Sequence, residues 1–225
     1  DRGAREAKVY LAAPVSEEDI EDFFQAQIRE VSEIHWDERS DQVVSRNRRM
    51  LGQLPLKDVK LEKPDETAVL HALCQGIRGK GLEVLPWDKA SRSLRDSLLF
   101  CRRYDPSGDW PDVSEGALLQ NLEHWLGPYI TGMRRLDQVK QVKLLDILTG
   151  MLDWTQNQKL DQLVPSHFTV PSGSQMALDY AQDPPVLAVR LQEMFGLTET
   201  PTVMAGKCRL LVHLLSPAQR PLQVT

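Results

Sequence analysis

The chain has 225 residues, of which 41% are apolar, 6% aromatic and 26% charged, and its 27 Lys+Arg against 32 Asp+Glu leave a formal net charge of -5. These values exclude collagen-like, mucin-like and wholly disordered chains, and the length suffices for one large domain or about two to three small ones. The mildly acidic balance argues against a histone-like coat on DNA, although a local basic stripe survives inside an acidic chain.

No apolar run approaches the roughly 18 residues that a membrane span needs. The opening Asp1-Arg2-Gly3-Ala4-Arg5 has neither the apolar stretch of a signal peptide nor an initiator Met. The expectation is therefore a soluble, cytoplasmic chain excised from a longer protein, with no membrane partner. Cys74, Cys101 and Cys208 are odd in number, far apart and in no C-x-x-C pairing. That suits a reducing compartment and argues against a disulfide frame or a zinc site.

The first stretch, residues 1–63, reads mainly as strands. Lys8 to Ala13 alternates and stops at Pro14; Ser16 then offers a helix N-cap, followed by Glu17, Glu18 and Asp19 in the first turn, where the helix dipole favours acid. Ile20, Phe23 and Phe24 form the apolar side of that short helix. Ile28–Trp36 and Val43–Leu51, separated by the polar residues 37–42, read as a β-hairpin, and Leu54–Leu61 as a further strand. Strands with one short helix in such a length suggest part of an oligonucleotide-binding-like (OB-like) β-barrel.

Residues 64–164 read as a helical bundle. Val69, Leu70, Leu73 and Ile77 fall on one helical face, and Gly76, Gly79 and Gly81 weaken and end that helix. A second helix follows Pro86 and carries Ala90, Leu94, Leu98 and Cys101 on one face. Residues 106–111 are a loop. Ser114 caps a third helix with Val113 and Leu118 as its staple; Leu118, Leu122, Trp125 and Leu126 line it, and Gly127-Pro128 stops it. Leu144 to Leu152 marks a fourth helix and Trp154 to Leu163 a fifth.

Residues 165–225 return to strands. His167–Val170 and Gln175–Tyr180 flank the turn Pro171-Ser172-Gly173-Ser174; Val186–Arg190 is a strand, and Leu191–Phe195 a helical turn. Thr202–Ala205 and Cys208–Leu215 form a hairpin candidate around Gly206-Lys207. The fold class expected is α+β: the OB-like β-barrel portion, then the helical domain, then a β-rich C-terminal segment packing with it.

Catalytic motifs are absent from the sequence. There is no G-x-x-x-x-G-K-[ST] loop, no G-x-G-x-x-G after a strand, no D-E-x-H and no H-E-x-x-H, and the glycines of residues 76–81 follow a helix without phosphate-loop spacing. Ser172 or Ser174 with His167 or His213 would be needed for a serine hydrolase, yet the Pro-Ser-Gly-Ser turn lacks the G-x-S-x-G elbow. The five histidines His35, His71, His124, His167 and His213 share no metal-ligand spacing, so neither catalytic nor metal residues are expected. Trp87, Trp110, Trp125 and Trp154 lie beside helical apolar patterns and read as core.

Two basic features and one aromatic remain as candidates for binding nucleic acid. Arg46 and Arg48 share one face of a strand and Arg49 lies on the other with Asn47; guanidinium forks there suit phosphate oxygens. Arg92, Arg95, Arg102 and Arg103 form a helical stripe, for which a solvated face is the plainer reading. Trp36 lies on a strand where an exposed ring can stack a base or, more simply, pack inside.

Several segments resemble the region beyond the motor of HrpB-type bacterial DEAH-box RNA helicases: residues 34–40 with the arginine-rich strand to Gly52, residues 81–87, 105–112, 167–174, 185–197 and 213–225, in the family's order across nearly the whole chain. The resemblance implies a fragment that begins within an OB-type barrel and continues into a family-specific C-terminal region. ATP and magnesium would then belong to two upstream RecA-like motor domains, with no cofactor in this fragment. The function it implies is non-catalytic: binding or positioning single-stranded RNA or DNA for the motor domains. The alternative is a protein-docking or scaffolding module that recruits a partner or regulates the motor.

Overall fold

The computed structural model describes residues 14–216 and 221–224. The strand expected at Lys8–Ala13 lies outside them. Helix α1 (Glu17–Phe24) starts where Ser16 accepts from the Asp19 backbone N–H while the Asp19 side chain reaches back to the cap. Strands β1 (Ile28–Asp37), β2 (Gln42–Leu51) and β3 (Leu54–Lys60) form an antiparallel meander in the order β1-β2-β3. The hairpin register pairs Trp36 with Val43 and Ile34 with Ser45. The sheet is open: three strands with no closed barrel among the described residues, so the barrel expectation holds only as a β-rich first segment.

Helix α2 (Glu66–Lys80) lies on one face of this sheet. Asp65 caps it, and Gly81, at φ 84°, ends it with its N–H on the Ile77 carbonyl. The buried side chains Val69, Leu73 and Ile77 face inward, each worth roughly 1.5–3 kcal/mol on burial. Gly76 sits where the sheet and helix meet: a Cβ there would lie 2.2 Å from Cδ2 of the Trp36 indole. The ring thus lies directly on the helix backbone. Helix α3 (Lys89–Tyr104) follows, with Asp88 and Ser91 as a reciprocal cap.

The third expected helix is broken. It becomes α4 (Glu115–Gln120), α5 (Leu122–Trp125) and α6 (Gly127–Ile130), so Gly127-Pro128 begins a turn of helix rather than stopping one. Proline lacks only an N–H that the first turn would leave free anyway. Helix α7 (Leu136–Val139) was not expected, and α8 (Leu144–Thr149) ends before Met151. Helix α9 (Trp154–Leu163) has the expected bounds, but Trp154 is 73% exposed, against its reading as core; at the first position after the Asp153 cap it sits on the outer side.

Strands β4 (His167–Thr169), β5 (Gln175–Asp179), β6 (Val186–Arg190), β7 (Thr202–Val203), β8 (Cys208–Arg209), β9 (Leu211–Leu215) and β10 (Pro221–Val224) complete the chain. The main sheet runs β10-β9-β6-β5-β4, and β7 pairs only with β8. The hairpin expected across residues 202–215 is therefore short. Beyond Leu210 the chain leaves β7 and pairs in parallel with β6, where Val186, Leu187 and Val189 of β6 and Val212 of β9 are buried. One cluster of buried side chains draws on all three stretches, including Val43, Leu73, Leu98, Leu148, Leu187 and Val212.

A candidate nucleic-acid interface on the first sheet

The arginine strand folds as its alternation dictates. On the face turned away from α2, Arg46 and Arg48 both reach Asp58 of β3, at 2.9 and 3.2 Å, and Arg48 also contacts Glu33 of β1 at 2.9 Å. Partial burial pushes the Asp58 carboxyl upward, but the hydrogen bonds from Arg46 and Arg48 win and hold it below the usual carboxylate range. On the other face Arg49 pairs with Glu21 of α1. Two of the three arginines are thus committed to carboxylates on their own sheet. Arg46 alone keeps nearly half its side chain open, at 48%.

Arg46 opens onto a groove of about 600 Å3 lined by Lys60, Arg134, Arg135, Asp58 and the edge of β2. The groove arises because β3 stops at Lys60, leaving the start of β2 without a neighbour on that side. The segment before α7 fills the gap: the Val43 N–H donates to the Arg134 carbonyl at 2.7 Å, and the Leu136 N–H to the Asp41 carbonyl at 3.1 Å. Four cations converge there against one carboxylate. Among the described residues, Lys60 and Arg134 have no carboxylate partner within salt-bridge distance, and the contact of Arg135 with Asp137 is long, at 3.9 Å. Lys60, Arg134 and Arg135 were missed in the sequence. The Arg-Arg pair after Gly132 was visible, but nothing local joined it to a strand some ninety residues earlier.

The helical stripe is used differently. Arg92 is bidentate to Glu83, which this hydrogen bonding pulls below its ordinary value. Arg95 lies 5.5 Å from the Trp87 ring centroid and donates from Nε to the Val113 carbonyl at 2.9 Å. Arg102 donates to the Trp110 carbonyl at 3.0 Å and reaches Asp112 at 3.3 Å, while Arg103 pairs with Asp183. These arginines fasten the loop of residues 105–114 and the turn at Asp183 to α3. They are not gathered with Arg46, Arg48 and Arg49.

Trp36 is half-buried against α2 and lines a cleft with Ile34, His35, Glu38, Ala68, His71, Ala72 and Gln75. Ser172 and Ser174 hydrogen-bond each other at 3.2 Å, and His167 contacts Ser166 instead, so no serine–histidine pair forms at that turn. Among the described residues there is no group of three or more His, Cys, Asp or Glu side chains placed to hold a metal, and no helix is long and apolar enough to cross a membrane.

The fold and its sequence are similar to the C-terminal part of ATP-dependent helicases. Residues 125–225 match the family described as ATP-dependent helicase C-terminal. The chain is 40% identical over 221 residues to the ATP-dependent RNA helicase HrpB of Escherichia coli strain K12, covering 98% of this chain and 27% of that protein. A crystal structure of the E. coli DExH-box NTPase HrpB superposes with a TM-score of 0.70 over 94% of this chain and 26% of that one. A second, of the E. coli DEAH/RHA helicase HrpB, gives 0.67 over 88% and 25%, again at 40% identity. The chain matches the C-terminal region of HrpB-type helicases in sequence and fold, and spans about a quarter of the length of the relatives it matches.

Proposed function

We propose that this chain is an accessory, non-catalytic region of a cytoplasmic ATP-dependent RNA helicase, which binds single-stranded nucleic acid and positions it for motor domains that hold ATP and magnesium. The observation that carries this reading is the groove in which Arg46, Lys60, Arg134 and Arg135 converge on an acidic chain. Phosphates need cations that are not already neutralised, and among the described residues Lys60 and Arg134 meet that condition. The E. coli relative's description as an RNA helicase supports the choice of ligand. On this reading the three-stranded meander is a portion of an OB-type barrel, and Arg48 and Arg49 are structural neighbours of the groove. The arginines of α3 brace a loop and are secondary contacts at most.

Fluorescence anisotropy of the chain with a short single-stranded RNA tests this at about 50 and 200 mM salt. Four phosphate contacts predict roughly a fiftyfold loss of affinity over that range, from the single-strand counterion slope. Replacing Lys60, Arg134 and Arg135 together with Ala should weaken binding and flatten the log–log salt slope by about 2. Undiminished affinity in that triple variant would place the binding elsewhere, and no binding at low salt would overturn the reading.

A docking role has its own support. Trp154, Phe23 and Phe195 are 73%, 82% and 69% exposed, and buried aromatic anchors are what protein interfaces use. A partner or the motor itself would cover them.

A further inference from the structure

We infer that the cleft between β1 and α2 takes an unstacked nucleobase of the strand whose phosphates lie in the basic groove. The inference rests on the nucleic-acid reading above and names a second subsite for it.

The cleft holds about 480 Å3, ample for one base, and combines an aromatic wall, an apolar floor and polar edges. Trp36 supplies the wall. Its indole packs closely on the Gly76 backbone and against the core, which restrains it. A ring held in place by the fold loses little freedom when a base stacks on it. Ala68, Ala72 and Ile34 supply the floor.

The polar groups are also held. His71 Nε2 is 3.2 Å from Gln75 Nε2, one turn along α2, and His71 Nδ1 is 3.4 Å from Glu123 Oε1. Glu123 is in turn fixed by Arg78. With both ring nitrogens of His71 engaged, Gln75 is held in place and keeps its carbonyl oxygen as an acceptor and one N–H as a donor for the edge of a base, in a cleft that Glu38 also lines. A site with an apolar body and a few converging polar groups suits a flat heterocycle better than a phosphate, which Glu38 would repel.

Position links the cleft to the groove. The groove lies on the β3 side of β2 and the cleft on the outer edge of β1, both at the end of the hairpin where Asp37 pairs with Gln42. Both flank the same end of the hairpin, and a strand of several nucleotides, as such folds bind, is long enough to run from one to the other around it. Arg39 is exposed in the turn that connects β1 and β2 at that end.

The test compares two single-stranded RNAs of equal length, about eight nucleotides, one intact and one with abasic riboses throughout. Both present the same phosphates to the chain. The intact strand should bind roughly fivefold to a hundredfold more tightly, the worth of one stacked base. His71→Ala/Gln75→Ala changes exposed residues that leave Trp36 and the core in place, and it should narrow that ratio while leaving the affinity for the abasic strand unchanged. Equal affinity of the two strands for the unaltered chain would overturn the base subsite and leave the phosphate groove standing. Binding of neither strand at low salt would overturn both. An unchanged ratio in the double variant would also sink the assignment to this cleft.

Discussion

At the scale of single residues, Gly76 is where sequence and fold press hardest on one another. The missing side chain lets α2 lie on the Trp36 indole, and a Cβ would come within 2.2 to 2.7 Å of three ring atoms. Gly76→Ala should therefore destabilise the chain by about 1–3 kcal/mol, although alanine ordinarily favours a helix over glycine. Urea denaturation would show this as a lowered midpoint. Combining it with Trp36→Ala should recover most of that increment, since the clash disappears with the ring; a strictly additive double variant would refute the contact. The sequence displayed Gly76 only as a helix-weakening residue. Its purpose depends on a strand forty residues away, which no local pattern reports.

At the scale of elements, Arg78 makes the densest set of polar contacts between α2 and the helices after it. Arg78 is bidentate to Glu123 and donates from Nε to the Leu119 carbonyl at 2.9 Å and from a terminal nitrogen to the Gln120 carbonyl at 3.3 Å. Those carbonyls belong to the end of α4, where the chain bends and intrahelical partners run out. The Arg78 guanidinium also holds the Glu123 carboxyl below its ordinary value. Arg78→Met should cost about 2–3 kcal/mol, since it leaves a half-buried carboxylate and helix-end carbonyls without their donor. Arg78→Lys should recover only part, because one ammonium cannot satisfy a bidentate carboxylate and two carbonyls together. Thermal melts of the two variants check the order; a fully restored melting temperature in the lysine variant would mean that charge alone is what matters there.

The basic elements teach the same lesson from the other side. A run of Arg46, Asn47, Arg48 and Arg49 looked like a phosphate surface, yet carboxylates across the ladder from Arg48 and on α1 beside Arg49 occupy them. Arg102 and Arg103 likewise spend their charge on the loops they anchor. Periodicity showed which face each arginine takes, and it did so correctly for β2. It carried no information about which acid stands opposite, because strand pairing and loop packing set that.

At the scale of the whole molecule, the buried ionisable groups set how stability responds to alkali. Burial pushes the thiols of Cys74 and Cys101 from the ordinary 9.0 up to about 12, and burial likewise raises the Tyr180 phenol. Below about pH 9 these groups are protonated in folded and unfolded chains alike, and their contribution is fully present. Above that, the unfolded chain releases protons that the folded chain keeps, so stability falls as pH rises toward about 12. The denaturant midpoint should decline between about pH 9 and 11 and do so less in Cys74→Ala/Cys101→Ala. At about pH 8 in native buffer all three buried cysteines should resist a thiol reagent and react once urea unfolds the chain. A flat midpoint across that range would show that the thiols are less enclosed than their surroundings indicate.

What the amino-acid order by itself determined is the local layer: the β1–β2 hairpin, the bounds of α9, the Gly81 end of α2, the alternation of Arg46 and Arg48 against Arg49, and the family resemblance along most of the chain. These follow from side-chain period, capping chemistry and the freedom of glycine at positive φ, all of which act within a few residues. The tertiary structure alone decided that the first sheet stays open among the described residues, that β9 leaves its expected hairpin to run parallel to β6, and that Trp154 faces outward. It alone brought Arg134 and Arg135 to the open edge of β2 beside Arg46 and Lys60. The reason is physical: an unpaired strand edge and a buried carbonyl must find partners wherever the folded chain supplies them, and sequence distance does not enter that requirement.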